Sequence, residues 1–265
     1  MGLATAKLFL EQGAKVMITA RNAKRGEAVA KELGENCFFK RADMTNSEEL
    51  QAAIKALIEK WGRIDVLFAN AGGGSLTCCL PINPKPESFA NLEKDGQLEW
   101  EYDLSNGPGS LENYIEDIKI NLIGNFDVGR LAAFEMAKNQ PNEDGERGVI
   151  IYTSSISATK RHSPGFNCGY SSAKAALSGL IKEMACNLAP LGIRVNSVMP
   201  GFFDTELIQS IGFLKGPWLE TEMFPNKSGD PKNIGQMVLQ IVENPFVKNI
   251  TIEVTAGFAG TRPQC

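Results

Sequence analysis

The sequence predicts an α/β protein whose core is a doubly wound parallel sheet covered by helices on both faces, in three layers. First, apolar segments such as Val149–Thr153 are continuous rather than alternating, which is typical of strands buried on both faces. Second, helical segments such as Ala23–Leu33 alternate with these strands, and right-handed crossovers between parallel strands then wind the sheet on both sides. The 265 residues, 43% of them hydrophobic, are enough for one domain over residues 1–265.

The alternation continues from the start of the chain to its end. A first helix begins at once and ends near Gly13, since glycine adopts the left-handed conformation that closes many helices. Capping residues and apolar periodicity predict further helices at residues 23–33, 48–61, 115–138 and 170–188, of which the second is capped by Ser47. Short apolar runs predict strands at residues 15–19, 37–41, 65–69, 149–153, 194–198 and 250–254.

The composition excludes several classes of protein. Lys and Arg number 27 against 31 Asp and Glu, a net charge of −4, so the chain lacks the basic surface of a nucleic-acid or anionic-membrane binder. No apolar run approaches the ~20 residues of a membrane span. The six cysteines have no metal-ligand spacing, and the single histidine, His162, argues against a Ser-His-Asp triad. We therefore expect a cytoplasmic protein without metal and without a nucleic-acid or membrane partner.

Two segments interrupt the alternation. Residues 75–114 are rich in proline and polar residues and are long for a connection, which predicts an extended insertion. Because ligands bind at the carboxyl ends of strands in open α/β sheets, residues 202–232 are interpreted as a substrate lid. A surface loop with its own small cluster is the alternative. The aromatic side chains of this second segment are Phe202, Phe203, Phe213, Trp218 and Phe224.

Tyr170 and Lys174 stand four residues apart and therefore side by side on one face of the predicted helix 170–188. A nearby cation stabilises a phenolate, so we expect Lys174 to lower the pKa of Tyr170 from ~10 toward the working pH. A tyrosine tuned in this way donates a proton to a carbonyl oxygen or accepts one from an alcohol. The pair alone is a weak signal, because it arises by chance on many amphipathic helices.

Polar and small residues stand at the carboxyl ends of the predicted strands. Ser154 and Ser155 follow the strand 149–153, where a hydroxyl can hydrogen-bond a substrate oxygen. Small residues after the strand 65–69 let the backbone approach a ligand closely. Asn121 lies within a predicted helix, where an amide is unfavourable unless its side chain is used. The remaining strand-end residues are Asn70, Ala71, Gly72, Pro200, Gly201 and Thr205.

Together these pieces resemble the short-chain dehydrogenase/reductase family over nearly the whole chain. The resemblance implies a Rossmann-like NAD(P)-binding domain that interconverts a secondary alcohol and a ketone. It implies that Tyr170 is the acid/base, that Ser155 holds the reacting oxygen, and that Lys174 binds the nicotinamide ribose. The resemblance also implies that Asn121 orders a water chain that returns the proton. The family's usual interval to the tyrosine selects Ser157, but Ser155 directly follows the strand and is preferred. The matching residues are Gly2-Leu3-Ala4, Asp43, Asn70-Ala71-Gly72, Asn121, Ser155, Tyr170, Lys174 and Pro200-Gly201.

The N-terminus departs from the family pattern. The family begins with a strand and a Thr-Gly-x-x-x-Gly-x-Gly turn whose backbone cradles the pyrophosphate, and this sequence keeps only the last glycine, Gly2. By this resemblance the sheet lacks its first strand, which belongs between the strands 15–19 and 65–69. The simplest explanation is a start assigned inside a longer protein. The alternative function is a catalytically silent binding or scaffold subunit, because the phosphate-binding loop is absent.

The end of the strand 15–19 favours NADP as the cofactor. NAD enzymes of the family place an acidic residue there to bind the ribose hydroxyls. This sequence has Ala20 followed by Arg21, which can pair with a 2′-phosphate, and NAD is the alternative. The resemblance implies that Asp43 contacts the adenine and that Met44 packs against it. The predicted cofactor-binding residues are Gly2, Arg21, Asp43, Met44, Asn70, Ala71, Gly72, Tyr170, Lys174, Pro200, Gly201 and Thr205.

The C-terminal part resembles the hydroxyacyl-CoA/hydroxysteroid branch of the family, through Gly229-Asp230-Pro231 and Glu243-Asn244-Pro245-Phe246. Members of that branch use NAD, which conflicts with the preference for NADP. We expect a small hydrophobic alcohol or ketone as substrate, such as a hydroxyacyl thioester or a steroid-like alcohol. The helices 115–138 and 170–188 carry more apolar residues than one sheet face needs, and relatives pair these helices, so we expect a homodimer or homotetramer.

Overall fold

The computed structural model describes residues 1–75, 77–85, 100–105, 107–160, 167–210, 224–225 and 227–257. Its strands are β1 (Val16–Ala20), β2 (Cys37–Arg41), β3 (Val66–Ala69), β4 (Ile82–Pro84), β5 (Trp100–Tyr102), β6 (Gly148–Thr153), β7 (Ile193–Pro200) and β8 (Thr251–Val254). Its α-helices are α1 (Gly2–Glu11), α2 (Ala23–Leu33), α3 (Ser47–Trp61), α4 (Leu111–Ile118), α5 (Gly124–Met136), α6 (Cys168–Leu188), α7 (Glu206–Ser210) and α8 (Pro231–Glu243). A π-helical turn, Lys119–Ile123, joins α4 to α5.

The strands that carry the site form a parallel sheet. Strands β3, β6, β7 and β8 lie side by side in that order, and each neighbouring pair is parallel. Strands β1 and β2 form a second parallel pair, and antiparallel β4 and β5 lie within the segment 75–114. Parallel strands joined by helices confirm the predicted Rossmann-like α/β class. In the described part of the chain β1 pairs with β2 alone, and the expected lack of a first strand stays a prediction.

Strand β6 lies at the centre of the core, since all six of its residues are buried. Ile150 and Tyr152 point to one face, where they pack with apolar side chains of α3, α5 and α6. Val149 and Ile151 point to the other face, where they pack with α8 and Phe203. Side chains of a strand alternate between faces, so a strand that is apolar throughout is covered on both sides. The helices on both sides confirm the three-layer arrangement.

The predicted elements begin and end within two residues of the observed ones, except for the helix predicted at residues 115–138. Helix α3 is capped by Asn46 rather than Ser47, since the Asn46 side chain accepts hydrogen bonds from two N–H groups of the first turn. The predicted helix 115–138 begins earlier, at Leu111, and is divided by the π-helical turn. Helix α8 is not among the predicted helices, and Asp230 caps it by accepting a hydrogen bond from a first-turn N–H group.

The two irregular segments are described in part. Residues 86–99 of the insertion and 211–223 of the expected lid, with Phe213 and Trp218, lie outside the described residues. Phe202 and Phe203 are buried, and Phe203 packs in the core beside β6. These two rings therefore stabilise the fold instead of lining an open lid, while the lid itself stays a prediction.

Neither a membrane span nor a metal cluster occurs within the described ranges. None of the helices there combines the length and the apolar character needed to cross a bilayer. The His, Cys, Asp and Glu side chains of those ranges form no group of three or more that could hold a metal ion.

Helix α5 packs closely against the segment that follows β2, and Gly124 lies at this contact. A Cβ atom at this position would lie 2.2 Å from the carbonyl oxygen of Met44, a backbone atom that cannot rotate away. Gly124→Ala should therefore lower the free energy of unfolding by about 1–3 kcal/mol in urea denaturation.

The matched control is Gly179→Ala in helix α6. A Cβ atom at Gly179 meets open space, and alanine is the better helix former by about 1 kcal/mol, so this variant should be at least as stable as the parent. Equal stabilities of the two variants would contradict the close packing at Gly124.

Candidate active site

The predicted catalytic side chains meet where strand β6 ends. Lys174, in the second turn of α6, donates a hydrogen bond from Nζ to the carbonyl oxygen of Thr153, the last residue of β6, at 2.7 Å. Ser154 Oγ donates to the carbonyl oxygen of Lys174 at 3.2 Å. These two bonds attach α6 to the end of β6. They also hold Tyr170, one turn earlier on the same helix face, at this edge of the sheet.

Lys174 is a buried cation, only 2% exposed. Burial lowers the pKa of its ammonium to about 8, so the side chain remains charged at neutral pH. Its Nζ lies 5.5 Å from the centre of the Tyr170 ring. The backbone of Gly72 covers it so closely that a Cβ atom there would lie 3.2 Å from Nζ. The ammonium is therefore enclosed by a strand end, an aromatic ring and a glycine loop.

The pKa of Tyr170 is raised, chiefly because the phenol is withdrawn from water. A hydrogen bond with Ser155 acts in the opposite direction, and the negative charge of Asp117 raises the pKa further. The expectation that Lys174 lowers the pKa of Tyr170 is therefore wrong for the free protein. Burial is the largest influence on this pKa, and the Lys174 ammonium donates its hydrogen bond to the Thr153 carbonyl.

Ser155 and Ser157, the two candidate serines, form one hydrogen-bonded pair. The Oγ atoms are 3.1 Å apart, and Ser155 Oγ also accepts the N–H of Ser157 at 3.2 Å. Both side chains are buried, and Ser155 is the one whose interaction with the Tyr170 phenol lowers its pKa, against the larger effect of burial. The interaction with the tyrosine thus involves Ser155, two residues after the end of β6, and Ser157 is hydrogen-bonded to Ser155.

Asn121 lies in the π-helical turn, where its amide binds the loop after β3. Its Nδ2 donates to the carbonyl oxygen of Gly73 at 2.6 Å, and its Oδ1 accepts the N–H of Gly73 at 3.2 Å. The side chain is completely buried. A π-helical turn displaces side chains from the usual helical spacing and is frequent at functional sites. The amide holds the loop against Lys174, and the water chain assigned to it stays a prediction.

The other strand-end residues occupy two places. Gly2 packs on Asn70, since a Cβ atom at Gly2 would lie 2.9 Å from Asn70 Nδ2. Asn70 Oδ1 accepts a long hydrogen bond from Thr153 Oγ1 at 3.5 Å, which connects it to the cluster, and the following Ala71 is exposed. At the end of β7, Gly201 donates its N–H to β8, and Thr205 Oγ1 accepts the N–H of Ile208 in α7. Pro200, Gly201 and Thr205 therefore stand at the neighbouring strand end.

Arg21, Asp43 and Met44 lie at the ends of β1 and β2. The pKa of Asp43 is lowered chiefly by the backbone N–H of Thr45, and the positive charges of Arg21 and Arg41 lower it further. Arg21 is exposed, so its guanidinium is open to a ligand beside this carboxylate. Met44 is partly buried and packs against the hydrophobic core.

Sequence reasoning missed Asp117, which the structure brings into the same cluster. This residue is 2% exposed, and its backbone oxygen accepts a hydrogen bond from Asn121 Nδ2 at 2.9 Å. Its position four residues before Asn121 places both on one helix face, which is the signal that could have identified it. A charged side chain on the inner face of a helix indicates a polar role.

Comparisons with known proteins show which family and which relatives the chain resembles. The family model of short chain dehydrogenases matches residues 1–212. Human 3-hydroxyacyl-CoA dehydrogenase type-2 is 35% identical over 255 residues, covering 96% of this chain and 89% of the human protein. Ipsdienol dehydrogenase of Ips pini is 30% identical over 256 residues, covering 96% and 90%. The crystal structure of a 3-hydroxyacyl-CoA dehydrogenase type-2 from Mycobacterium avium aligns with a TM-score of 0.81 at 26% identity, over 97% of this chain and 91% of that one.

The lowered pKa of Lys174 makes the stability of the fold depend on pH. Below about pH 8 both the folded and the unfolded state keep the proton, and the fold bears the full cost of burying the charge. Above that pH the folded state releases the proton while the unfolded state retains it up to 10.5, so stability rises with pH.

Lys174→Met keeps the unbranched stem and removes this dependence. The free energy of unfolding of the parent, measured by urea denaturation, should rise relative to that of Lys174→Met between about pH 7.5 and pH 9.5. Lys182→Met, an exposed lysine of the same helix, should not change the slope. A difference between parent and Lys174→Met that stays constant with pH would contradict the buried-ammonium assignment.

Proposed function

The chain belongs to the short-chain dehydrogenase family and is an oxidoreductase, and we propose that it interconverts a secondary alcohol and a ketone with Tyr170 as the acid/base. The observation that carries the proposal is the contact of three side chains at the end of β6. The hydroxyl of Ser155 faces the phenol of Tyr170, and the buried ammonium of Lys174 lies 5.5 Å from the centre of the ring. Such a phenol is arranged to exchange a proton with a substrate oxygen.

The carboxyl ends of the strands, where the predicted cofactor-binding residues lie, suit the binding of an extended dinucleotide. At one end, exposed Gly72 lies against Lys174 with no room for a side chain, so its backbone can approach a ribose or a flat ring. At the other end, the exposed guanidinium of Arg21 lies near the carboxylate of Asp43. We assign the nicotinamide ribose to Lys174 and the adenosine to Arg21 and Asp43. When bound, the nicotinamide cofactor accepts or supplies the hydride.

The centre of this edge of the sheet fits the phosphates. Helix α1 begins at Gly2 against Asn70, and Met1, its capping residue, makes no side-chain hydrogen bond to the first turn. The N–H groups of a helix N-terminus favour an anion. We therefore place the pyrophosphate near Gly2. The further residues proposed to contact the cofactor are Met44, Asn70, Ala71, Pro200, Gly201 and Thr205.

Each catalytic side chain has a separate part in the proposed reaction. Ser155 donates a hydrogen bond to the substrate oxygen and holds it beside the phenol. In reduction Tyr170 donates its proton to the carbonyl oxygen, and in oxidation the phenolate accepts the proton of the alcohol. Lys174, bonded to the Thr153 carbonyl, holds the helix that carries Tyr170 at the strand end and is proposed to bind the nicotinamide ribose. Asn121, held by Gly73, is proposed to bind the water through which Tyr170 exchanges its proton with solvent.

A hydrophobic secondary alcohol, such as a hydroxyacyl thioester or a steroid-like alcohol, is the proposed substrate class. Two relatives support this choice by their names, a 3-hydroxyacyl-CoA dehydrogenase and an ipsdienol dehydrogenase. We also propose a homodimer or homotetramer. Between residues 115 and 138 the chain exposes large apolar side chains, which a second copy would cover. These are Ile115, Ile123, Phe126 and Phe134.

Tyr170→Phe tests the proposed acid/base directly. The substitution keeps the ring and removes the hydroxyl that exchanges the proton, so turnover should fall by 10²–10⁴-fold while cofactor binding survives. Turnover is measured by the absorbance of the reduced nicotinamide with a panel of 3-hydroxyacyl thioesters and hydrophobic secondary alcohols, and cofactor binding by its fluorescence. Tyr102→Phe, at an exposed tyrosine of β5, is the control and should keep full turnover. Near-normal turnover of Tyr170→Phe would overturn the mechanism and favour the silent-scaffold alternative.

Arg21→Ala tests the preference for NADP. Its guanidinium can pair with a 2′-phosphate, which NAD lacks, so the variant should weaken NADP(H) binding about tenfold or more and leave NAD(H) binding little changed. Arg63→Ala is the control, because Arg63 is also exposed but precedes β3 and pairs with Asp65. Equal effects on both cofactors, or tighter binding of NAD(H) by the parent, would show that NAD is the natural cofactor.

A further inference from the structure

Asp117 is a buried carboxylate for which the reaction proposed above has no part. Its Oδ1 accepts hydrogen bonds from the N–H and the hydroxyl of Ser75, at 2.9 and 3.1 Å. Its Oδ2 accepts the hydroxyl of Thr77 at 3.2 Å. A buried charge is costly unless it is hydrogen-bonded, and these three donors meet that requirement. All of them come from the chain that continues the loop after β3.

The hydroxyl of Thr77 extends the connection to the first turn of α6. While it donates to Asp117, its Oγ1 accepts the N–H of Gly169 at 2.8 Å, and the Thr77 carbonyl accepts the N–H of Cys168 at 2.8 Å. Gly169 itself packs directly on Asp117, since a Cβ atom there would lie 2.8 Å from Asp117 Oδ2. The residue after Gly169 is Tyr170, so the chain of bonds ends next to the phenol-bearing residue.

The loop after β3, which Asp117 binds through Ser75, also touches Tyr170. Ser75, bonded to Asp117, follows Gly74, and a Cβ atom at Gly74 would lie 3.3 Å from the Cβ of Tyr170. The preceding Gly73 is bonded to Asn121 through both of its backbone groups. One carboxylate therefore joins three segments that carry the site: the loop after β3, the helix of Asn121, and the start of α6.

We infer that Asp117 is a positioning residue. Through the hydroxyl of Thr77 it fixes the position of Tyr170 relative to Asn121 and to the loop of residues 73–75. The inference rests on the proposed function, because it concerns the placement of the acid/base in that reaction. The charge of Asp117 has a second effect, since it raises the pKa of the phenol. The other groups that face the phenol are Lys174 of the same helix and the hydroxyl of Ser155.

Asp117→Asn removes the charge and one acceptor while nearly preserving the shape. Because a small displacement of a reacting group is costly, kcat should fall by about 10²-fold, whereas the KM for the cofactor should stay near the parent value. The ionisation that governs alcohol oxidation should move to lower pH, which a purely structural defect would not cause. Glu116→Gln is the matched control, because this neighbouring carboxylate pairs with Lys119 on the outer face of the same helix.

Thr77→Val separates position from charge. It cuts the connection between Asp117 and Gly169 but leaves the carboxylate in place, so kcat should fall without the shift in the pH profile. This variant also serves if Asp117→Asn does not fold. Parent values of kcat and an unshifted pH profile in Asp117→Asn, or full activity of Thr77→Val, would overturn the inference.

Backbone hydrogen exchange gives a measurement that does not need activity. In Asp117→Asn the amides of Ser75 and Gly169 should exchange faster, and in Glu116→Gln they should not. If the parent protein oxidises no alcohol and reduces no ketone, the proposed function is wrong. The exchange rates would still decide whether Asp117 holds the two segments together. Unchanged exchange at both amides would reject the tether itself.

Discussion

The hydrogen bond from the buried ammonium of Lys174 to the last carbonyl of β6 is the contact on which the rest of the site depends. An ammonium withdrawn from water needs an acceptor, and the carbonyl of Thr153 provides one. This hydrogen bond holds α6 against the end of β6 and places Tyr170, one helical turn away, at the same edge of the sheet. The loop opposite the ammonium has no side chain at Gly72, where a Cβ atom would lie only 2.7 Å from Asn121 Oδ1 and 3.2 Å from Lys174 Nζ.

The loop after β3 is held by polar side chains of one helical segment. Asn121 binds both backbone groups of Gly73, and Asp117 binds Ser75 and Thr77. The π-helical turn that contains Asn121 lets this segment direct its amide at the loop while α4 and α5 keep their own packing. The end of strand β6 therefore positions the ammonium of Lys174, and the segment that carries Asp117 and Asn121 positions the loop opposite it.

Much of the fold could be predicted because burial on both faces is visible in consecutive residues, as in β6. The four-residue spacing of Tyr170 and Lys174 and the place of Ser155 after a strand likewise predicted that they would meet. The errors have physical causes. Asn46 and Ser47 are adjacent and both suit a helix cap, so sequence does not choose between them. The sign of the pKa shift at Tyr170 depends on how much water the fold removes, which no spacing records.

By itself, the sequence determined the layered parallel architecture and the residue types for proton transfer, because periodicity and helical spacing are local properties of the chain. Only the tertiary structure decided what surrounds those residues. It brought Asp117 to Ser75, 42 positions away, and Thr77 to Gly169, 92 positions away. It also placed Ser155 near the phenol and hydrogen-bonded Ser157 to Ser155. Hydrogen bonds between distant segments form only when the core brings them together, and their effect depends on the burial that the core creates.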